Sequence, residues 1–204
     1  MKAFTRSNNQ YYLMRHGESL ANRRGLIVSA PDNALNDYGL TSKGADQVMA
    51  SALNTRLSAN ITIITSDYKR ARESAEIMSS VLSCSNDVLI DTRMRERDFG
   101  AYELSDHSNY ETVWQNDVTN PDESINGVET VENVLKRGLA TIESLEKTHR
   151  NQTILLVGHG DVLQILLSHH QNINPRFHRS LSSIGNADIR SLSKLELASR
   201  KPAA

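Results

Sequence analysis

Short apolar runs that alternate with stretches of helical period constrain this chain more than any other feature. Tyr11–Met14 ("YYLM"), Ile61–Thr65 ("ITIIT") and Thr153–Gly158 ("TILLVG") read as buried strands. Between them run longer segments whose apolar residues recur near helical spacing. Thr41–Leu57 carries Ala45, Val48, Ala52 and Leu53, and Tyr68–Cys84 carries Ala71, Ala75, Met78 and Leu82. Val128–Lys147 has the strongest pattern, with Val128, Val131, Leu135, Leu139, Ile142 and Leu145, and "DVLQILLSHH" begins a further helix. Val88–Ile90 and a stretch within Ala187–Leu197 supply two more strands. Strands and helices alternating at these intervals suit right-handed crossovers. The expected fold is α/β, a three-layer sandwich with a mainly parallel central sheet and helices on both faces.

One segment breaks the alternation. Residues 97–126 are polar, hold the only tryptophan, Trp114, beside Tyr102 and Tyr110, and show no sustained period. Some thirty such residues within a compact domain read as a lid-like insertion. The chain is 204 residues long, which suits a single domain, residues 1–204, with a core of its own.

Composition removes several functions. The net charge of −1 lacks the basic surplus of a nucleic-acid binder, so any anion must be met by a local cluster. No run approaches the roughly 20 apolar residues of a membrane span, and "MKAFTRSNNQ" lacks the apolar core of a secretory signal. A lone cysteine, Cys84, lies in an apolar-periodic stretch and reads as structural. A soluble, cytoplasmic protein with a frayed "SRKPAA" tail is expected.

Parallel sheets bind ligands beyond the carboxyl ends of their strands. Two such ends here carry histidine: "YYLM" is followed by Arg15-His16-Gly17, and "TILLV" by Gly158-His159-Gly160. "ITIIT" is followed by Ser66 and then by Lys69, Arg70 and Arg72. One rim should therefore gather two imidazoles and at least two guanidiniums. Guanidiniums grip phosphate oxygens in pairs, and flanking glycines let the backbone approach. The start of the following helix adds N–H donors, and a neutral imidazole can attack phosphorus. A histidine pair also suits a metal ion, but partner carboxylates or thiolates at ligand spacing are not evident, and arginines would repel a cation. No metal or cofactor is expected.

Taken in order, these segments resemble the histidine phosphatase superfamily, which includes the cofactor-dependent phosphoglycerate mutases. "LMRHGESLAN" is similar to the family signature, "TSDYKRARESAEIM" to its arginine segment, "MRERDFGAYE" to the stretch bearing its acidic residue, and "LLVGHGDVLQILL" to the second histidine motif. The resemblance implies that His16 is the nucleophile and forms phosphohistidine. It also implies that Arg15, Arg70 and a protonated His159 hold the phosphoryl oxygens, and that Glu96 protonates the leaving oxygen and then activates water. Asn22 and the Gly160 backbone would lie on the phosphate side. Arg23 would meet a second anionic group or stand as solvated surface. The chain departs from the family pattern at Met94 and Val128, and "RRGLIVSAPDNALND" lacks the mutases' aromatic stretch.

The implied function is a phosphomonoesterase acting on a small-molecule phosphate ester. The alternatives are a phosphoglycerate mutase, a phosphatase of phosphoproteins, and a non-catalytic phosphate-binding module. Trp114 and its neighbours would stack on an organic leaving group.

Overall fold

The computed structural model describes residues 7–121 and 123–192. In chain order its elements are β1 (Gln10–Arg15), α1 (Leu20–Arg24), α2 (Pro31–Ala34), α3 (Ser42–Asn54), β2 (Thr62–Thr65), α4 (Lys69–Leu82) and β3 (Leu89–Ile90). These are followed by α5 (Asn109–Thr119), α6 (Val131–Thr148), β4 (Thr153–Gly158), α7 (Gly160–His170) and β5 (Ile189–Ser191). Short 3-10 turns occupy Thr92–Met94, Gly100–Tyr102 and Pro175–Ser180.

Among the described residues the strands form one sheet in the order β3-β2-β4-β1-β5. All pairings are parallel except β1 with β5. The period-2 alternation of β4 divides the core into two layers. Ile154 and Leu156 pack with α6 and α7 on one face. Leu155 and Val157 pack with Val48 and Ala52 of α3 and Ala75 and Met78 of α4 on the other. The expected three-layer α/β sandwich with a mostly parallel sheet is the observed fold.

Helix starts follow local chemistry. Thr41 caps α3 by accepting from the Gly44 N–H at 3.0 Å, and Thr130 does the same for Asn133 on α6. The expected bounds need correction at several points. Leu53, read as core, is 71% exposed, because α3 turns only the Val48–Ala52 stripe inward. Val128 precedes α6 and packs instead with Ile27, Phe99 and Val113. The segment read as aperiodic contains α5. The "SRKPAA" tail lies outside the described residues.

Register does the positioning. Arg15 of β1 pairs with Gly158 of β4, and Thr65 of β2 pairs with Val157. The residues that follow, His16, His159 and Ser66, therefore leave the sheet side by side. The His16 N–H donates to Gly158 O at 3.0 Å and the Ser66 N–H to Val157 O at 3.3 Å.

Candidate active site

The two imidazoles meet at this rim. The rings of His16 and His159 lie 5.3 Å apart between centroids, tilted by 60°, and both are buried. His16 Nδ1 lies 2.7 Å from Gly17 O. A carbonyl can only accept, so Nδ1 carries the proton and Nε2 keeps its lone pair. Into that lone pair Arg70 donates from Nε at 3.2 Å. Arg70 comes from the first turn of α4 and is anchored by Nη2 on Val28 O at 2.9 Å.

Arg15 reaches the same place from the end of β1, tethered by Nη1 to Ile184 O at 3.2 Å. His159 Nε2 engages Ser66 Oγ at 2.9 Å. At this rim three buried nitrogens have no hydrogen-bond partner among the described residues: Arg15 Nε, Arg70 Nη1 and His159 Nδ1. Buried polar atoms are nearly always satisfied. Three unsatisfied nitrogens around one imidazole make a cradle for an oxyanion. The first-turn N–H groups of α7 add to it, because His159 is the N-cap residue of that helix.

Glu96 closes the ring. Its Oε1 accepts from the Arg97 N–H at 2.9 Å. Its Oε2 would lie 3.8 Å from a Cβ at Gly160, and Arg15 Cζ 3.7 Å from the same point. Gly160 is thus the thin wall between the acid and the arginine.

Sequence comparison then decides the family. The profile described as histidine phosphatase superfamily (branch 1) matches residues 11–203. The chain belongs to this superfamily. Proteins named "Probable phosphoglycerate mutase GpmB" from Salmonella paratyphi C (strain RKS4594) and Cronobacter sakazakii (strain ATCC BAA-894) are 32% and 34% identical to it over 164 residues. That span is 78% of this chain and 73% of theirs. Among solved structures, a mycobacterial glucosyl-3-phosphoglycerate phosphatase complexed with VO3 superposes with a TM-score of 0.74 at 21% identity, covering 89% of this chain and 90% of that one. A phosphoserine phosphatase from Entamoeba histolytica in complex with 3-phosphoglyceric acid gives 0.72 at 23% identity, covering 90% and 89%. At these identities the likeness is one of fold. The chain is an enzyme of the histidine phosphatase superfamily.

Electrostatics sort this superfamily member's titratable groups. Burial, then Arg70 and Arg15, hold His16 well below the ordinary imidazole range, so it stays neutral. His159 is pushed the same way by burial, Arg70 and His16. The expectation of a protonated His159 is thereby corrected: two arginines already occupy the positive role, and a third buried cation would be repelled. Glu96 is displaced upward, first by burial and then by the Asp161 carboxylate, against the Arg97 N–H, Arg70 and Arg15. Arg95 and Arg97 do not turn toward it. Arg95 pairs with Asp67 at 2.5 Å and Arg97 with Asp117 at 2.6 Å.

Other sequence-named residues lie further out. Asn22 completes the capping box that Ser19 begins at α1, its Oδ1 accepting from the Ser19 N–H at 3.1 Å. Asn186 Nδ2 links Asn22 to the site, donating to His16 O at 3.1 Å and to Asn22 Oδ1 at 3.3 Å. Arg23 stands exposed on the last turn of α1. Arg72 turns away to Leu35 O. Trp114 is not free to stack on a ligand as expected. It lies parallel to Tyr110 at 5.3 Å, and Arg179 covers it at 3.8 Å. Sequence reasoning gave no site role to Ser66 or Asp161. Ser66 and Asp161 adjoin motifs already noticed, at the end of β2 and directly after Gly160.

Among the described residues no group of three or more His, Cys, Asp or Glu side chains is arranged so that it could hold a metal ion. No helix among them is long and apolar enough to cross a membrane.

Proposed function

We propose that the chain is a phosphomonoesterase that works through phosphohistidine on His16. The observation that carries this reading is the His16 tautomer. Gly17 O fixes the proton on Nδ1, which leaves the Nε2 lone pair for phosphorus once Arg70 Nε passes from it to a phosphoryl oxygen, with unsatisfied donors around it. His16 Nε2 attacks phosphorus, and the N–P bond forms as the ester P–O bond breaks. Glu96 delivers its proton to the departing oxygen. Arg15, Arg70 and His159 hold the three equatorial oxygens, and positioned donors of this kind are typically worth about 3 kcal/mol each. Water then attacks the phosphohistidine, the Glu96 carboxylate takes the water's proton, and phosphate leaves with His16 restored.

A phosphoglycerate mutase is the second reading, favoured by the names of the relatives at 32–34% identity. Pairing of the nearby cations argues for hydrolysis. Arg95, Arg97 and Arg137 are committed to Asp67, Asp117 and Glu129, so none of them is spare to clamp a substrate carboxylate. A small-molecule phosphate ester with an uncharged leaving group fits this arrangement.

The test is a phosphate-release screen over sugar phosphates, nucleotides, phosphoglycerates and phosphopeptides, run with wild type and His16→Ala. Release of free phosphate that vanishes in His16→Ala, with an acid-labile phosphoenzyme trapped from wild type, supports hydrolysis. Isomerised phosphoglycerate without free phosphate would establish the mutase instead. Near-normal turnover by His16→Ala would overturn both.

A further inference from the structure

Behind Glu96 lies a buried charge cluster that the steps above do not use. Arg97 is 2% exposed, Asp117 4%, Asp161 3% and His178 0%. Arg97 holds Asp117 in a two-pronged pair, Nη1 to Oδ2 at 2.7 Å and Nη2 to Oδ1 at 2.6 Å. Its Nη1 also reaches Asp161 Oδ2 at 3.4 Å. Trp114 Nε1 lies 3.1 Å from both oxygens of Asp161, and His178 Nε2 lies 3.8 Å from Oδ2. Three separate parts of the chain thus meet the Asp161 carboxylate, which α7 carries: the loop after β3, α5 and the Pro175–Ser180 turn. A site so heavily determined is more than is needed to cap α7.

That carboxylate adjoins the proton donor. Asp161 follows Gly160, the residue whose Cα faces Glu96 Oε2. The Arg97 N–H holds Glu96 Oε1 while the Arg97 guanidinium holds Asp161. One residue therefore grips both acids, by its backbone and by its side chain.

Resting on the reading of Glu96 as the acid, we infer that Asp161 is a positioning residue that keeps the proton on Glu96 until the leaving oxygen takes it. The two carboxyls differ in their surroundings, and that difference assigns their states. Asp161 is drawn below the ordinary carboxylate range by His178, Arg97, Arg179 and Trp114, against its burial. Glu96 is pushed upward by burial and by Asp161. Such a pair separates into one fixed anion and one held acid. Other groups face Glu96 from each neighbouring element: Arg15 of β1, Arg70 of α4, Tyr110 of α5, Tyr68 ahead of α4, and Arg137 of α6 on its carbonyl. Arg15 and Arg70 favour the charged form of Glu96. Asp161 offsets them.

The experiment compares wild type, Glu96→Gln, Asp161→Asn and Asp161→Glu on aryl phosphates with good and poor leaving groups across pH. With poor leaving groups, the alkaline limb of kcat should move to lower pH by about one unit in Asp161→Asn and stay in place in Asp161→Glu. With good leaving groups at low pH, Asp161→Asn should lose less than about threefold. A uniform loss at all pH values, with the limb unmoved, would overturn the inference and leave Asp161 a structural residue. Should Asp161→Asn not fold, Asp161→Ser removes the same charge and is read identically. Should Glu96→Gln lose activity equally for both leaving groups, the reading of Glu96 itself fails. That result is distinct from an unmoved limb in Asp161→Asn.

Discussion

Arg70 donates from Nε into Nε2 of His16 over 3.2 Å, so the nitrogen proposed to attack and the guanidinium proposed to hold the phosphate stand together before any substrate arrives. Burial and then the same guanidinium hold His16 toward its neutral form. Arg70→Gln should therefore have two separable effects. Loss of the donor should lower kcat by about 10²–10³. Loss of the charge should raise the proton affinity of His16, moving the acid limb of kcat/KM toward higher pH. Steady-state phosphate release across pH measures both. An unmoved acid limb would show that Arg70 does not set the state of His16.

Close backbone contact builds the loop that holds His16. A Cβ at Gly17 would lie 2.3 Å from Gly44 O, and one at Gly44 would lie 2.0 Å from Glu18 O. Both obstacles are backbone, so neither yields by a rotamer change. The requirement is room, because neither glycine adopts a positive φ. Gly44→Ala should cost about 1–3 kcal/mol or more and depress kcat by displacing the loop after β1. Urea unfolding together with phosphate release would show both losses. Unchanged stability would mean that α3 can shift freely from the loop.

The buried ion pair of Arg97 and Asp117 should behave asymmetrically. Asp117→Ala leaves a buried guanidinium short of its two-pronged partner and should cost about 3–5 kcal/mol. Replacing both partners together, Arg97→Met with Asp117→Leu, and neutralising the neighbouring acid by Asp161→Asn in the same chain, should recover much of that loss, because no buried charge is then stranded. Chemical denaturation of the three proteins provides the measurement. A combined variant as unstable as Asp117→Ala would mean that the pair contributes more than its desolvation costs.

These residues also mark how far the sequence could be read. The alternation of apolar runs sufficed for the three layers, because strands buried on both faces leave few other packings. His16 and His159 were legible as a pair because both follow parallel strand ends, and register alone brings parallel neighbours together. Helix α5 was not legible. Its inward stripe is Tyr110, Val113, Trp114 and Asp117, a proper i, i+3, i+4, i+7 set whose last member is an acid. Asp117 reads as polar until Arg97 is known to meet it, and that partner lies 20 residues away. The same long-range pairing hid the direction of Arg95 and Arg97, which spacing placed beside Glu96. The charge state of His159 was missed because it depends on how deeply the ring is buried among cations, which no local motif encodes.

Buried neutral histidines tie the stability of this fold to pH. His16 is held below its ordinary value in the fold, so below about 6.5 the unfolded chain binds a proton that the native chain refuses. Stability is then fully present above the ordinary value and is lost as pH falls from there toward the native one. His159 acts in the same direction. Glu96 acts oppositely: its contribution is present below the ordinary carboxylate value and is lost as pH rises through the raised one. Comparing wild type with His16→Asn isolates one group. For a histidine still neutral in the fold at pH 5.5, the unit below the ordinary value is worth about 1.4 kcal/mol. That corresponds to about 3–5 °C in Tm for a chain of this size. Between pH 7.5 and 5.5, wild type should lose that much more than His16→Asn in thermal unfolding. Parallel Tm curves for the two proteins would mean that His16 takes up its proton in the fold as readily as in the open chain, against the burial and paired arginines that surround it.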